Sequence, residues 1–248
     1  MNKVAKVTLL FWLMKILATT LGETLGDQLS MTMGLGYASG IGITLAGFII
    51  VLLFQLSRQS FLAPLYWLVI VGTTTLGTEI SDFMDRSLGL GYVAGSAALL
   101  ASLLIILALW HIRLGGIRVY AVTERREELF YWAAILASNS LGTAFGDMLS
   151  DDFGFSYVQG ALITAAVIGA VLALHRFTKL NDVLLFWIAF IFTRPFGATF
   201  GDLLTKPTSS GGMALGTLPA TLVTAVLLGG LIIVAHRKEQ VELAPPLP

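Results

Sequence analysis

Eight long apolar runs divide this chain, near residues 7–28, 37–57, 62–83, 91–112, 129–149, 157–176, 183–204 and 212–235. A helix of about 20 residues, rising 1.5 Å per residue, crosses about 30 Å of hydrocarbon, so each run predicts a membrane-spanning helix. Polar positions are concentrated within them. Every odd-numbered run closes on one phrase: Leu21-Gly22-Glu23-Thr24-Leu25-Gly26-Asp27, Leu76-Gly77-Thr78-Glu79-Ile80-Ser81-Asp82, Leu141-Gly142-Thr143-Ala144-Phe145-Gly146-Asp147 and Phe196-Gly197-Ala198-Thr199-Phe200-Gly201-Asp202. A carboxylate is costly at membrane depth, so one such residue already marks a candidate functional site, and four at one register strengthen the case.

The copies align without gaps around the Asp. A Trp stands fifteen residues before each one (Trp12, Trp67, Trp132, Trp187), and a Gly stands thirteen after the first three (Gly40, Gly95, Gly160), with Gly216 one residue late in the fourth. The Asp spacings of 55, 65 and 55 residues describe a nested duplication, two similar pairs of hairpins joined by the charged loop around Thr123–Glu128. The expected units are 1–60, 61–120, 121–180 and 181–240, each with two helices, followed by a disordered tail at 241–248. The N-terminal lysines and first apolar run imitate a signal peptide. However, Lys15 interrupts the run, no small-residue cleavage site follows, and the first copy of the phrase lies within it.

Charge sets the expected orientation. Lys3, Lys6, Arg58, Arg113, Arg118, Arg125, Arg126, Arg176, Lys179, Arg237 and Lys238 fall at the termini or between hairpins, whereas the loops within hairpins hold only Arg86 and Lys206. This asymmetry places both termini in the cytoplasm. The four Trp then mark the cytoplasmic interface as an aromatic belt. Fifteen helical residues span about 22 Å, which puts each Asp about three quarters of the way across. Hairpins of two helices all point the same way, so the repeats are parallel about an axis along the membrane normal. The predicted fold is an all-α polytopic membrane protein of four parallel two-helix repeats.

Composition narrows the chemistry. The chain is 56% hydrophobic, 12% charged, of mean hydropathy +0.84 and without net charge, so no bulk field invites nucleic acid. With no cysteine, disulfides and thiolate metal sites are excluded. There is no nucleophile–base motif, phosphate loop or cofactor fingerprint, so no enzymatic reading and no cofactor is supported beyond a bound divalent metal ion.

Asp27, Asp82, Asp147 and Asp202 are the expected core of a metal site, with Glu23 and Glu79 as additional ligands or proton carriers. Glu23 is four residues from Asp27 and Glu79 three from Asp82, so each pair is expected to share a helix face. Adjacent carboxylates repel unless a cation or proton intervenes, as an exchange site requires. Ser30, Ser150, Thr205 and Asp85 are further oxygen donors three residues after their Asp, and hard cations such as Mn²⁺, Ca²⁺ or Mg²⁺ prefer oxygen. Arg194 lies eight residues before Asp202, and Lys15 eight before Glu23; both are expected to act as counter-ions. The paired small residues, such as Gly22/Gly26 and Gly36/Gly40, predict close helix packing. The competing reading of the Asp residues is structural, as helix-end groups bonding nearby backbone.

Through Gly26-Asp27, Gly146-Asp147 and Gly201-Asp202, with Ser81-Asp82 as the degenerate copy, nearly the whole chain resembles an uncharacterised bacterial membrane-protein family built of tandem two-helix repeats with a GD motif. That resemblance implies the fold and little about function. Glu79-Ile80-Ser81-Asp82 also shares its acid spacing with the Glu-x-Gly-Asp signature of cation/proton exchangers. It departs from that signature in Ser for Gly and in lacking the following basic residue, and that family's repeats are inverted.

These readings converge on a multi-pass protein of the bacterial inner membrane that transports a cation, with a divalent metal favoured and protons as a second substrate. The alternatives are a transporter or channel for a small organic or cationic solute, and a non-transport scaffold. Membrane lipid is the expected partner, and a homo-oligomer is compatible with the sequence.

Overall fold

The computed structural model describes residues 2–243, with side chains placed through Glu239. Eight helices account for most of these residues: α1 Leu9–Asp27, α2 Tyr37–Ser57, α3 Ala63–Asp82, α4 Gly91–Leu114, α5 Arg125–Asp147, α6 Tyr157–Phe177, α7 Asp182–Thr205 and α8 Thr217–Leu243. Residues 244–248 of the expected tail lie outside the described residues, and α8 occupies 241–243.

The odd helices form a closed inner ring. Helix α1 packs on α3, α3 on α5, α5 on α7 and α7 back on α1. The even helices form an outer layer in a shifted arrangement, each packing on the odd helix of the following repeat: α2 on α3, α4 on α5, α6 on α7, and α8 on α1. The repeats therefore interlock, and the last helix closes the circle on the first.

Among the described residues six segments are long and apolar enough to cross a membrane: Leu9–Thr32, Tyr37–Ser57, Gly91–Leu114, Tyr157–Phe177, Asp182–Thr205 and Thr217–Glu239. This is the pattern of a membrane protein. Helices α3 and α5 fall short of that hydropathy because they carry the polar residues Thr73, Thr74, Thr75, Thr78, Ser138, Asn139 and Ser140, all buried. Their threonines bond back to carbonyls one turn earlier, as in Thr78 to Thr74, so little polar surface is left unpaired.

Glycine sets the ring's spacing through a repeated contact. A Cβ on Gly22 would collide with Thr74, on Gly77 with Asn139 and Ser140, on Gly142 with Arg194, and on Gly197 with Thr19. Thus the Gly five residues before each Asp receives the residue eight before the next Asp around the ring. The expected small-residue pairs on the even helices behave differently. Gly36 and Ser156 cap their helices and Gly91 begins one, while Gly212 and Gly216 lie in the loop before α8. For that reason α8 starts at Thr217 rather than 212.

After Asp27, Asp82 and Asp147 the helix continues for one wider, π-helical turn (Gln28–Thr32, Phe83–Ser87, Met148–Asp152). A glycine seven residues after the Asp then ends it with positive φ: Gly34 at +68°, Gly89 at +70° and Gly154 at +71°. Side chains other than glycine rarely adopt this backbone region.

Two expectations change at the opposite end. The charged stretch before α5 is helical from Arg125, and Glu128 is buried, paired with Lys3 and accepting from Gln55 Nε2 at 2.9 Å. The Trp residues do not form a lipid-facing belt there: Trp67, Trp132 and Trp187 are buried, and only Trp12 is partly exposed. They join Phe11, Tyr66, Tyr131 and Phe186 in an aromatic plug inside the ring, where Tyr66 and Tyr131 share a 2.6 Å hydroxyl hydrogen bond.

Candidate functional site

The ring's interior is built in layers one helical turn apart, because residues four apart share a helix face. Above the aromatic plug lie Lys15, Ile70, Ile135 and Phe190; then Thr19, Thr74, Asn139 and Arg194; then Glu23, Thr78, Thr143 and Ala198; and finally Asp27, Asp82, Asp147 and Asp202. All sixteen residues are buried.

The four Asp are joined in two pairs by cations from the hairpin loops. Arg86 reaches Asp82 at 3.6 Å and Asp147 at 3.2 Å. Lys206 reaches Asp202 at 3.2 Å and Asp27 at 2.8 Å. Arg86 and Lys206 stand four residues after Asp82 and Asp202, so each pairs with its own Asp one turn away and with that of the next repeat. Burial opposes charge on Lys206, but Asp202 and Asp27 overcome it and hold its pKa above the ordinary lysine value. Around Arg86 a tyrosine rim closes the mouth: the guanidinium donates to Tyr92 at 3.1 Å and to Tyr37 at 3.2 Å, and Tyr92 donates to Asp151 at 2.8 Å.

One layer deeper, Glu23 turns into the axis. Arg194, fully buried, donates to Glu23 at 2.7 Å and also bonds the Thr78 hydroxyl. One carboxylate oxygen each from Glu23, Asp147 and Asp202 lies within 4.8 Å of the other two. An ion at the centre of such a triangle is at most about 2.8 Å from each oxygen, only slightly beyond the about 2.3–2.6 Å of Ca²⁺–oxygen bonds. At this level Glu23, Asp27, Asp82, Asp147 and Asp202 face three cations, Arg86, Lys206 and Arg194. When all are ionised, two negative charges remain, which one divalent ion or two protons would balance.

Several expected roles shift. Arg194 pairs with Glu23 on α1 rather than with Asp202 on its own helix. Lys15 is not the partner of Glu23: its Nζ donates to the Asn139 side chain at 2.8 Å and lies 3.8 Å from the Phe190 ring centroid. A lysine side chain leans toward its helix N-terminus, away from a residue two turns ahead. Glu79 leaves the axis altogether. Three residues from Asp82 it is rotated by about 60° around the helix, and it faces α2, with Ser30 3.4 Å away. The other oxygen donors are also engaged elsewhere. Ser30 serves Glu79, Ser150 and Thr205 bond carbonyls of their own helices, and Asp85 lies against Ser81 and Gly95. Sequence reasoning missed Arg86 and Lys206 as members of the site. Their signal was the four-residue offset from Asp82 and Asp202, just as Tyr37, Tyr92 and Tyr157 recur ten residues after the first three Asp.

Four consecutive stretches, residues 10–61, 65–114, 130–181 and 185–240, match the family description Repeat of Unknown Function (DUF347). They coincide with the four structural repeats. No curated protein and no solved structure matches the chain.

Proposed function

The chain belongs to the DUF347 repeat family, and on that premise we propose that it is a cation transporter of the bacterial inner membrane, its termini cytoplasmic, carrying a divalent metal such as Mn²⁺, Ca²⁺ or Mg²⁺ in exchange with protons. The excess of Lys and Arg at the terminal end supports the orientation. The observation that carries the reading is the convergence of Glu23, Asp147 and Asp202 within 4.8 Å at the centre of an apolar bundle. In this reading those three carboxylates bind the cation, while Arg86 and Lys206 hold Asp27 and Asp82 and close the outer mouth. Arg194 shares Glu23 with the cation, so a bound ion weakens the Arg194–Glu23 pair. The aromatic plug and the hydrogen-bonded Lys15–Asn139 pair close the cytoplasmic side in this reading, and the arrangement corresponds to an occluded state.

The test is metal flux into proteoliposomes. Asp147→Asn and Glu23→Gln should each reduce divalent-metal flux at least tenfold while the purified protein keeps its helical circular dichroism. Wild-type flux in both variants would remove the carboxylates from the pathway. A bundle held static by the same ion pairs is the second reading, because three cations already occupy the acid layer. It predicts that the wild type carries no metal and no other cation.

A further inference from the structure

Glu79 is the one acid of the repeated phrases that the axial cluster leaves out. It occupies the position held by Thr24, Ala144 and Thr199 in the other copies, so it is particular to the second repeat. It is 1% exposed. Its Oε1 accepts from Ser30 at 3.4 Å, the Thr44 hydroxyl lies alongside, and Oε2 has no hydrogen-bond partner among the described residues. The recess exists because α2 carries glycine opposite: a Cβ on Gly40 would stand 2.7 Å from Oε1 and 2.6 Å from the Ser30 hydroxyl.

Among the described residues no cation pairs with this carboxyl. The first π-helical turn and α2 bring Ser30, Gly40 and Thr44, none of them titratable. The acids of α1 and α5 at this depth, Glu23, Asp27 and Asp147, are engaged with Arg194, Lys206 and Arg86. On its own helix Asp82 pairs with Arg86. Titratable residues of α8 begin only at His236, at the far end. A buried carboxylate with one long hydrogen bond and no counter-ion is costly, whereas a protonated carboxyl in the same place is not.

We infer that Glu79 is a proton-binding site, set in its own lateral pocket between α2 and α3 and separate from the carboxylates that take the cation. The ligand is the proton itself, held by a neutral carboxyl that gives it up when the pocket opens to water at the outer end of α2. The assignment rests on the transport reading only for its consequence, coupling of proton and cation movement. Its protonation can be read independently.

Infrared difference spectroscopy on the full-length protein in lipid nanodiscs reports protonated carboxyls through their C=O stretch. The wild type at pH 7 should show such a band that survives saturation with Mn²⁺ and is lost in Glu79→Gln. Ser30→Ala, which removes the hydrogen bond to Oε1, should shift that band without deleting it. A spectrum in which neither variant changes any protonated-carboxyl band overturns the inference, whatever the protein transports. In proteoliposomes Glu79→Gln should keep cation-for-cation exchange and lose at least tenfold of the uptake driven by a pH gradient. Retention of wild-type pH-driven uptake would overturn the coupling role. If wild-type liposomes carry no cation at all, the transport reading fails, and the infrared result still decides the state of Glu79.

Discussion

The pair between Arg194 and Glu23 can be tested by separating its two charges. The groups are fully and nearly fully buried and lie 2.7 Å apart, a Coulomb attraction of about 6 kcal/mol at an effective dielectric of about 20. Much of this is offset by desolvation, so the informative quantity is the cost of leaving one charge alone, about 3–5 kcal/mol for a buried pair. Glu23→Leu should be the worse variant, because a guanidinium cannot discharge itself whereas a carboxyl can take a proton. For a chain of this size, 3–5 kcal/mol corresponds to roughly 6–20 °C in Tm. Arg194→Met should lose less. The double variant Glu23→Leu/Arg194→Met leaves neither charge, and should return to within about 2 kcal/mol of wild type with metal flux abolished. The assay is thermal unfolding of the purified variants in detergent, arranged as a double-mutant cycle. A coupling energy below about 1 kcal/mol, or a double variant less stable than Glu23→Leu, would refute the reasoning.

Other outcomes follow from the same geometry. Gly197→Ala places a methyl group against the Thr19 side chain and backbone and should cost about 1–3 kcal/mol, while Gly47→Ala, which meets nothing within 4 Å, should be neutral or stabilising by up to about 1 kcal/mol; Tm values in detergent decide between them. Arg86→Met and Lys206→Met each remove a tethered cation from the acid layer, and calorimetry should show tighter Mn²⁺ binding; unchanged or weaker affinity would remove them as competitors for the site. The chain has no cysteine, so single cysteines introduced at Met33 and Lys179 can be labelled without background. The first should react from outside the cell and the second only after permeabilisation, and the reverse pattern would invert the proposed orientation.

Much of the inner ring was legible in the sequence. The Asp register, the glycine five residues ahead of it and the polar positions eight ahead recur at fixed offsets in the four copies, which spacing alone reveals. Which helix covers which was not legible. An even helix matches the odd helix of its own repeat as well as that of the next by pattern, and the choice depends on three-dimensional fit, such as Gly40 against Glu79. The direction of a long side chain was similarly hidden. Glu79 and Lys15 share approximate faces with the acids, yet a 60° rotation or a rotamer leaning the other way gave each a different neighbour. In the sequence Arg86 and Lys206 are loop charges that set orientation, because their partners on the adjoining repeat become visible only once the ring is closed. The spacing of the Trp residues fixes their depth along the helix and so predicts an interfacial belt, while their burial depends on ring diameter.

The two bridging cations have a bearing on how such a chain can be divided. Arg86 ties the second repeat to the third and Lys206 ties the fourth to the first, so both bridges cross the same seam between residues 1–120 and 121–248. Among the described residues no cation bridges the Asp of the first and second repeats or those of the third and fourth. Each half carries one Asp pair and one loop cation, and offers that cation to the other half in the same manner, as the two subunits of a symmetric dimer would. The segment between α4 and α5 acts as a tether between two complementary halves. Cut there, the halves retain the means to recognise each other, because each keeps a buried acid that only its counterpart can neutralise.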